Sequence, residues 1–155
     1  MNTKLTALAA SAALLTAAPA AQAGDLCTWV SAAVADLPNN FATIAAAPGS
    51  QALRSDLIVQ GANNCGVIRE ATQHITSCFW VYPGMTDAAA SAQLAALSGQ
   101  VKGCLGAGYQ LRASGSGGLI FYQDAAEDRA MTGRVSSAGA WQLYVMIVGH
   151  GAKLQ

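Results

Sequence analysis

The 155-residue chain balances eight basic against eight acidic residues, and only 10 % of it is charged while 53 % is hydrophobic. Charged side chains ordinarily make up about a quarter of a globular chain. The basic residues beyond Lys4 (Arg54, Arg69, Lys102, Arg112, Arg129, Arg134 and Lys153) are scattered, which disfavours nucleic-acid binding, a function that needs clustered Lys and Arg.

The first residues have the three parts of a secretory signal. Lys4 supplies the positive start, Leu5 to Ala21 form a run of Ala, Leu, Ser and Thr with one late proline, and Ala21-Gln22-Ala23 is a small-x-small cleavage site. Cutting is expected between Ala23 and Gly24. A membrane anchor fits less well, because the run is Ala-rich, weakly hydrophobic and broken by Pro19, and a spanning helix needs about 20 strongly apolar residues. Cys27 stands three residues beyond the cleavage site, so lipidation there is not expected. Residues 24–155 then form one small domain with a balance near −1, large enough for a core of its own. The expected location is the periplasm or the exterior, with no membrane anchor after cleavage.

Asp25 can cap a first helix in which Leu26, Val30, Ala33, Val34 and Leu37 recur at helical spacing beside Trp29. Pro38 ends it, and Asn39-Asn40 reads as a turn. Phe41 to Ala47 predicts a second short helical stretch, and Leu57-Ile58-Val59 a short strand. Cys65–Glu70 and His74–Tyr82 are the next strands. The second carries Thr76, Cys78, Trp80 and Tyr82 on one face and Ser77, Phe79 and Val81 on the other.

Thr86 caps the clearest helix, about 86–105, whose apolar stripe is Leu94, Leu97, Val101, Cys104 and Leu105. Asp87 in its first turn and Lys102 in its last complement the helix dipole, and Gly106 follows its end. Ala113 to Gly118 reads as a flexible Gly/Ser loop. Three more strands are expected at Leu119–Gln123, Met131–Ser136 and Ala140–Val148, the last two joined by Ala138-Gly139. The final strand has Trp141, Leu143, Val145 and Ile147 on a core face, yet its other face (Gln142, Tyr144, Met146, Val148) is also largely apolar. That second face is either covered or an interaction surface. The order gives an α+β fold with a mainly antiparallel sheet of about 5–6 strands and the long helix on one face.

Four cysteines, Cys27, Cys65, Cys78 and Cys104, fit no zinc pattern because none pair as C-x2-4-C. In an oxidising compartment an even number predicts two disulfides. A hairpin turning at Ala71-Thr72 sets Cys65 opposite Cys78. If Glu70 and Gln73 are a hydrogen-bonded pair, alternation makes 65 and 78 a non-hydrogen-bonded one, with Cα atoms within about 4.5 Å. Cys27 would then join Cys104. Ala-Thr is poor chemistry for a two-residue turn, and the pairings 27–65 with 78–104 and 27–78 with 65–104 stay open.

No catalytic, cofactor or metal site emerges from the motifs. His74 and Cys78 would be about 13 Å apart on a strand, too far to share an ion. His150, between Gly149 and Gly151, sits at a chain end. Segment 114–118 lacks G-x-S-x-G, and Gly106-Ala107-Gly108 has Leu111 where a dinucleotide loop needs glycine. Asp124, Glu127 and Asp128 form an acidic cluster without calcium-loop spacing and read as a solvated turn. They are nonetheless the first charged candidates for a binding edge, while Tyr82, Tyr122, Tyr144 and Met146 are the candidates for a surface opposite the helices.

Three functions follow. The leading expectation is a non-catalytic exported binding module of inhibitor, immunity or envelope-assembly type. Its partner would be another envelope or extracellular protein, with pairing of two copies left open. The second is a carrier of a small apolar ligand, with a pocket bounded by Leu97, Val101, Phe121 and Val145. The third, a small hydrolase, requires His74 or His150 to meet a carboxylate and a nucleophile in one cleft.

Overall fold

A computed structural model describes residues 23–115, 118–123 and 128–150. The chain opens with helix α1 (Ala23–Ala35) and continues as a hairpin of β1 (Asn64–Arg69) and β2 (Gln73–Pro83). Helix α2 (Asp87–Leu105) follows, then a meander of β3 (Tyr109–Gly115), β4 (Gly118–Gln123), β5 (Arg129–Ser137) and β6 (Ala140–His150). The sheet order is β1-β2-β6-β5-β4-β3, with every pairing antiparallel. The signal segment lies outside the described residues up to Gln22. Helix α1 already runs at Ala23, so Asp25 is inside it and not at its N-cap.

Both helices and the segment between α1 and β1 cover one face of the sheet. Leu26, Trp29, Val30 and Ala33 recur every three or four residues along α1 and are buried. They meet Val101 of α2 and the inward row Cys78, Val145 and Ile147 of β2 and β6. Burying such side chains contributes about 1.5–3 kcal/mol each. Thr86 caps α2 by accepting the Ala89 N–H. On α2, Leu94 and Val101 are buried, and Leu97, Cys104 and Leu105 are half-buried against the core. The stripe also includes Ala90 and Ser98. Ser98 is tolerated there because its hydroxyl is 2.6 Å from that of Thr132.

The stretch 41–59 departs from expectation. Phe41 to Ala47 is not helical, because the buried Asp36 carboxylate takes the N–H groups of Thr43 and Ile44 at 2.8 and 3.1 Å. Asn40 and Phe41 adopt φ of 55° and 59°, which breaks any helix. Arg69 fixes the same loops by donating to the carbonyls of Phe41 and Ser50. Leu57-Ile58-Val59 is not a strand. It leaves a 3-10 turn at Ser55–Leu57, and the β1 edge it would need is taken by Ala52, which bridges to Gly66. The expected Gly/Ser loop is shorter, because Ala113, Ser114 and Gly115 belong to β3 and pair with β4.

Candidate functional site

The face of the sheet turned away from the helices is built by strand alternation. Cross-strand partners share a face, so Ile75–Val148, Ser77–Met146, Phe79–Tyr144 and Val81–Gln142 lie on it together. Strand β5 adds Arg129, Met131, Gly133 and Val135 opposite the same β6 residues, and β4 adds Ile120 and Tyr122. Ile68, Val81 and Val135 are exposed, at 44 %, 39 % and 46 %. Phe79, Met131, Tyr144 and Met146 are half-buried, and Ser77 and Val148 are buried, at 3 % and 2 %. Arg129 is the only Lys, Arg, Asp or Glu at the paired positions of β1, β2, β4, β5 and β6 on this face.

At the middle of the sheet Tyr144 lies over Gly133, its ring occupying the volume where a β-carbon would stand. A glycine inside a strand leaves a dent, and here the neighbouring aromatic fills it. The face is levelled rather than grooved at its centre.

The structure separates the sequence candidates. Tyr122, Tyr144 and Met146 share this open face. Tyr82 does not, for it pairs with Trp141 on the helix-bearing face and packs against the core. Asp128 stands at the sheet end, where its carboxylate accepts the His150 backbone N–H at 3.1 Å. It therefore fastens β6 to the β4–β5 connection. Asp124 and Glu127 lie outside the described residues. Ile75, Phe79, Met131 and Val135 join the surface unannounced. Their signal was the odd-numbered alternation of β2 and β5, which acquires meaning only once the sheet order is known.

Asp128 acts on one more group. Tyr109, at the start of β3, has its hydroxyl buried without a hydrogen-bond partner among the described residues. Burial, and then the nearby Asp128 charge, push its pKa up to about 12. The two histidines occupy opposite faces: His74 stands across from Gly149 and Arg69 on the helix side, and His150 across from Gln73 on the other. They cannot line one cleft. Among the described residues, no three of His, Cys, Asp and Glu come together as a group that could hold a metal ion.

Val101, Phe121 and Val145, three of the four residues expected to bound a ligand pocket, are fully buried core. A cavity of about 330 Å³ exists nearer the start of α2, lined by Ser91, Leu94, Ala95, Ser98, Leu119 and Arg134. Arg134 is held at its rim by Asp87, 2.7 Å away, and by stacking on Trp141.

The disulfides are Cys65–Cys78, with Cα atoms 4.1 Å apart, and Cys27–Cys104, with Cα atoms 4.9 Å apart. Both are intramolecular, and no described helix is long and apolar enough to cross a membrane. Comparison with family models, curated proteins and solved structures finds no match.

Proposed function

We propose that the chain is a non-catalytic, exported protein-binding module, of inhibitor, immunity or envelope-assembly type, that docks through the open sheet face. One observation carries this reading: a sheet face with apolar residues on five of its six strands and one fixed charge at the paired positions of those five. Monomeric proteins rarely leave large contiguous apolar patches to water. The two disulfides support the exported setting. Residues 1–23 act as a removable signal, and N-terminal sequencing of the exported product should begin Gly24-Asp25-Leu26.

The test compares proteins co-purified from the envelope fraction with the parent chain and with Tyr144→Asp and Met146→Asp. The expected result is a partner lost in both variants while the fold, read by circular dichroism, survives. Retained affinity in both rejects this surface.

The cavity beside α2 favours a second reading, a carrier of a small apolar ligand. Its volume lies at the lower end of the range of about 300–1,000 Å³ typical of ligand sites. An apolar fluorophore should then bind with one site per chain, and Ala95→Trp should abolish that binding. Unchanged binding in Ala95→Trp counts against it.

A further inference from the structure

We infer that the cavity beside α2 takes a small aliphatic carboxylate, with its chain inside and its head on Arg134. The inference rests on the carrier reading of that cavity and names the chemical class of the ligand.

The position of Arg134 is the first argument. Ala130, Thr132 and Arg134 form one row of β5, and that row faces the helices. Ala130 and Thr132 are buried, as is Leu143 directly across from Arg134. A cation thus stands where the pattern calls for an apolar side chain, and its side chain is only 15 % exposed. Burying a charge is costly unless it is paired and hydrogen-bonded.

The pairing of Arg134 is incomplete. Both contacts with Asp87, the carboxylate at 2.7 Å and the backbone carbonyl at 3.2 Å, are made by one nitrogen, Nη1. Nε and Nη2 have no hydrogen-bond partner among the described residues. Together they form the side edge of the guanidinium, a fork that matches a carboxylate. Trp141, 4.5 Å from the guanidinium carbon, holds the plane of that fork. Asp87 is a weak counter-ion, because its side chain is 70 % exposed and solvent screens it.

The rest of the cavity suits a hydrocarbon chain. Leu94, Ala95 and Leu119 supply an apolar wall, and Arg134 is the one charged residue among those lining it. The Ser98 hydroxyl is already paired with that of Thr132, which also accepts the Leu119 N–H at 3.2 Å. If a non-hydrogen atom takes about the volume of a water molecule, roughly 30 Å³, then the cavity of about 330 Å³ holds about ten of them. That is the size of octanoate.

Isothermal titration calorimetry at neutral pH and low salt, with octanoate, octanol and octylammonium, tests this. Octanoate should bind about tenfold more tightly than octanol, and octylammonium more weakly than either. Asp87→Asn removes a competing negative charge while its amide oxygen can keep the Arg134 contact. Octanoate should therefore bind that variant about fivefold more tightly, with octanol unchanged. Arg134→Gln should abolish the preference for octanoate over octanol. If Arg134→Gln does not fold, Asp87→Asn decides, because an arginine that only clamps α2 to β5 predicts no gain there. Equal binding of octanoate and octanol, or no gain in Asp87→Asn, overturns the inference. If the apolar fluorophore binds and octanoate does not, the carrier reading stands and only the ligand class is wrong. If neither binds, both fall.

Discussion

Tyr144 lays its ring across Gly133 on the neighbouring strand, in the place a β-carbon would take. The two residues make one unit: the glycine provides the floor and the tyrosine levels it. Aromatic cover of a strand glycine restores the packing that the missing side chain forfeits. Gly133→Ala must push the ring off the sheet. It should cost about 1–3 kcal/mol, the usual penalty of overpacking. In Tyr144→Ala the same glycine change should cost much less, because the obstacle is gone. Urea denaturation of the two single variants and the double variant reads this coupling. Additive costs would show that the ring and the glycine are independent.

The two disulfides close loops of very different size, with sequence separations of 77 and 13. Loop-closure entropy assigns about 4.5 kcal/mol to Cys27–Cys104 and about 3 kcal/mol to Cys65–Cys78. The first also ties α1 to α2, whereas the second lies within a hairpin already held by its ladder. Replacing Cys27 and Cys104 together with alanine should therefore lower stability more than replacing Cys65 and Cys78. Thermal melts of the two double variants decide this, and equal losses would mean that the unfolded chain is not the seat of the effect.

The hairpin carrying Cys65 and Cys78 was legible because alternation along β2 and the spacing to β1 fix a register. The Glu70 N–H donates to the Gln73 carbonyl at 2.9 Å, the bond on which that register depends. Ala71-Thr72 closes it without positive φ, hence not as a primed turn. Helix α2 was legible from Thr86 and its stripe. Strand β3 was not, since Ala113, Ser114 and Gly115 have no strand preference of their own and are held by their pairing to β4. Tyr82 was grouped with Tyr144, although alternation already placed it beside Cys78 and Trp80. Only the register onto Trp141 shows that this row faces the helices. The ordering of 41–59 depends on Asp36 and Arg69 reaching across the chain, which no local pattern announces.

Asp36 supplies a pH test. Burial alone would raise its carboxyl. Hydrogen bonds from the Thr43 side chain, Asn39, and the Ile44 and Thr43 backbone outweigh this and leave it below the ordinary carboxylate value. The ionised form is thus favoured by folding. Its contribution is complete above the unfolded carboxylate pKa and is lost as pH falls through the lowered folded one. Asp36→Asn should cost about 2 kcal/mol at neutral pH, since charged acceptors are worth about 1.5–3 kcal/mol. The deficit should shrink as the medium is acidified. Denaturant midpoints of both proteins over acid to neutral pH measure it, and a deficit independent of pH would assign the loss to shape and not to charge.

Strands β5 and β6 are joined by Ala138 and Gly139, with Ser137 paired to Ala140. Both loop residues have positive φ, 49° and 77°. A two-residue hairpin loop with two positive φ angles is the type I′ turn, whose twist matches the strands and which favours Asn-Gly. Gly139 meets the requirement without strain, but alanine in the left-handed region costs about 1–2 kcal/mol. Ala138 is exposed, so nothing else constrains it. Ala138→Asn should therefore raise the denaturation midpoint by the equivalent of about 1 kcal/mol, and Ala138→Val should lower it, because a β-branched residue tolerates this φ least. The substitution lies at the β5–β6 turn, away from Met131 and Met146 at the sheet centre. If asparagine fails to stabilise the chain, the turn does not hold its positive φ in solution.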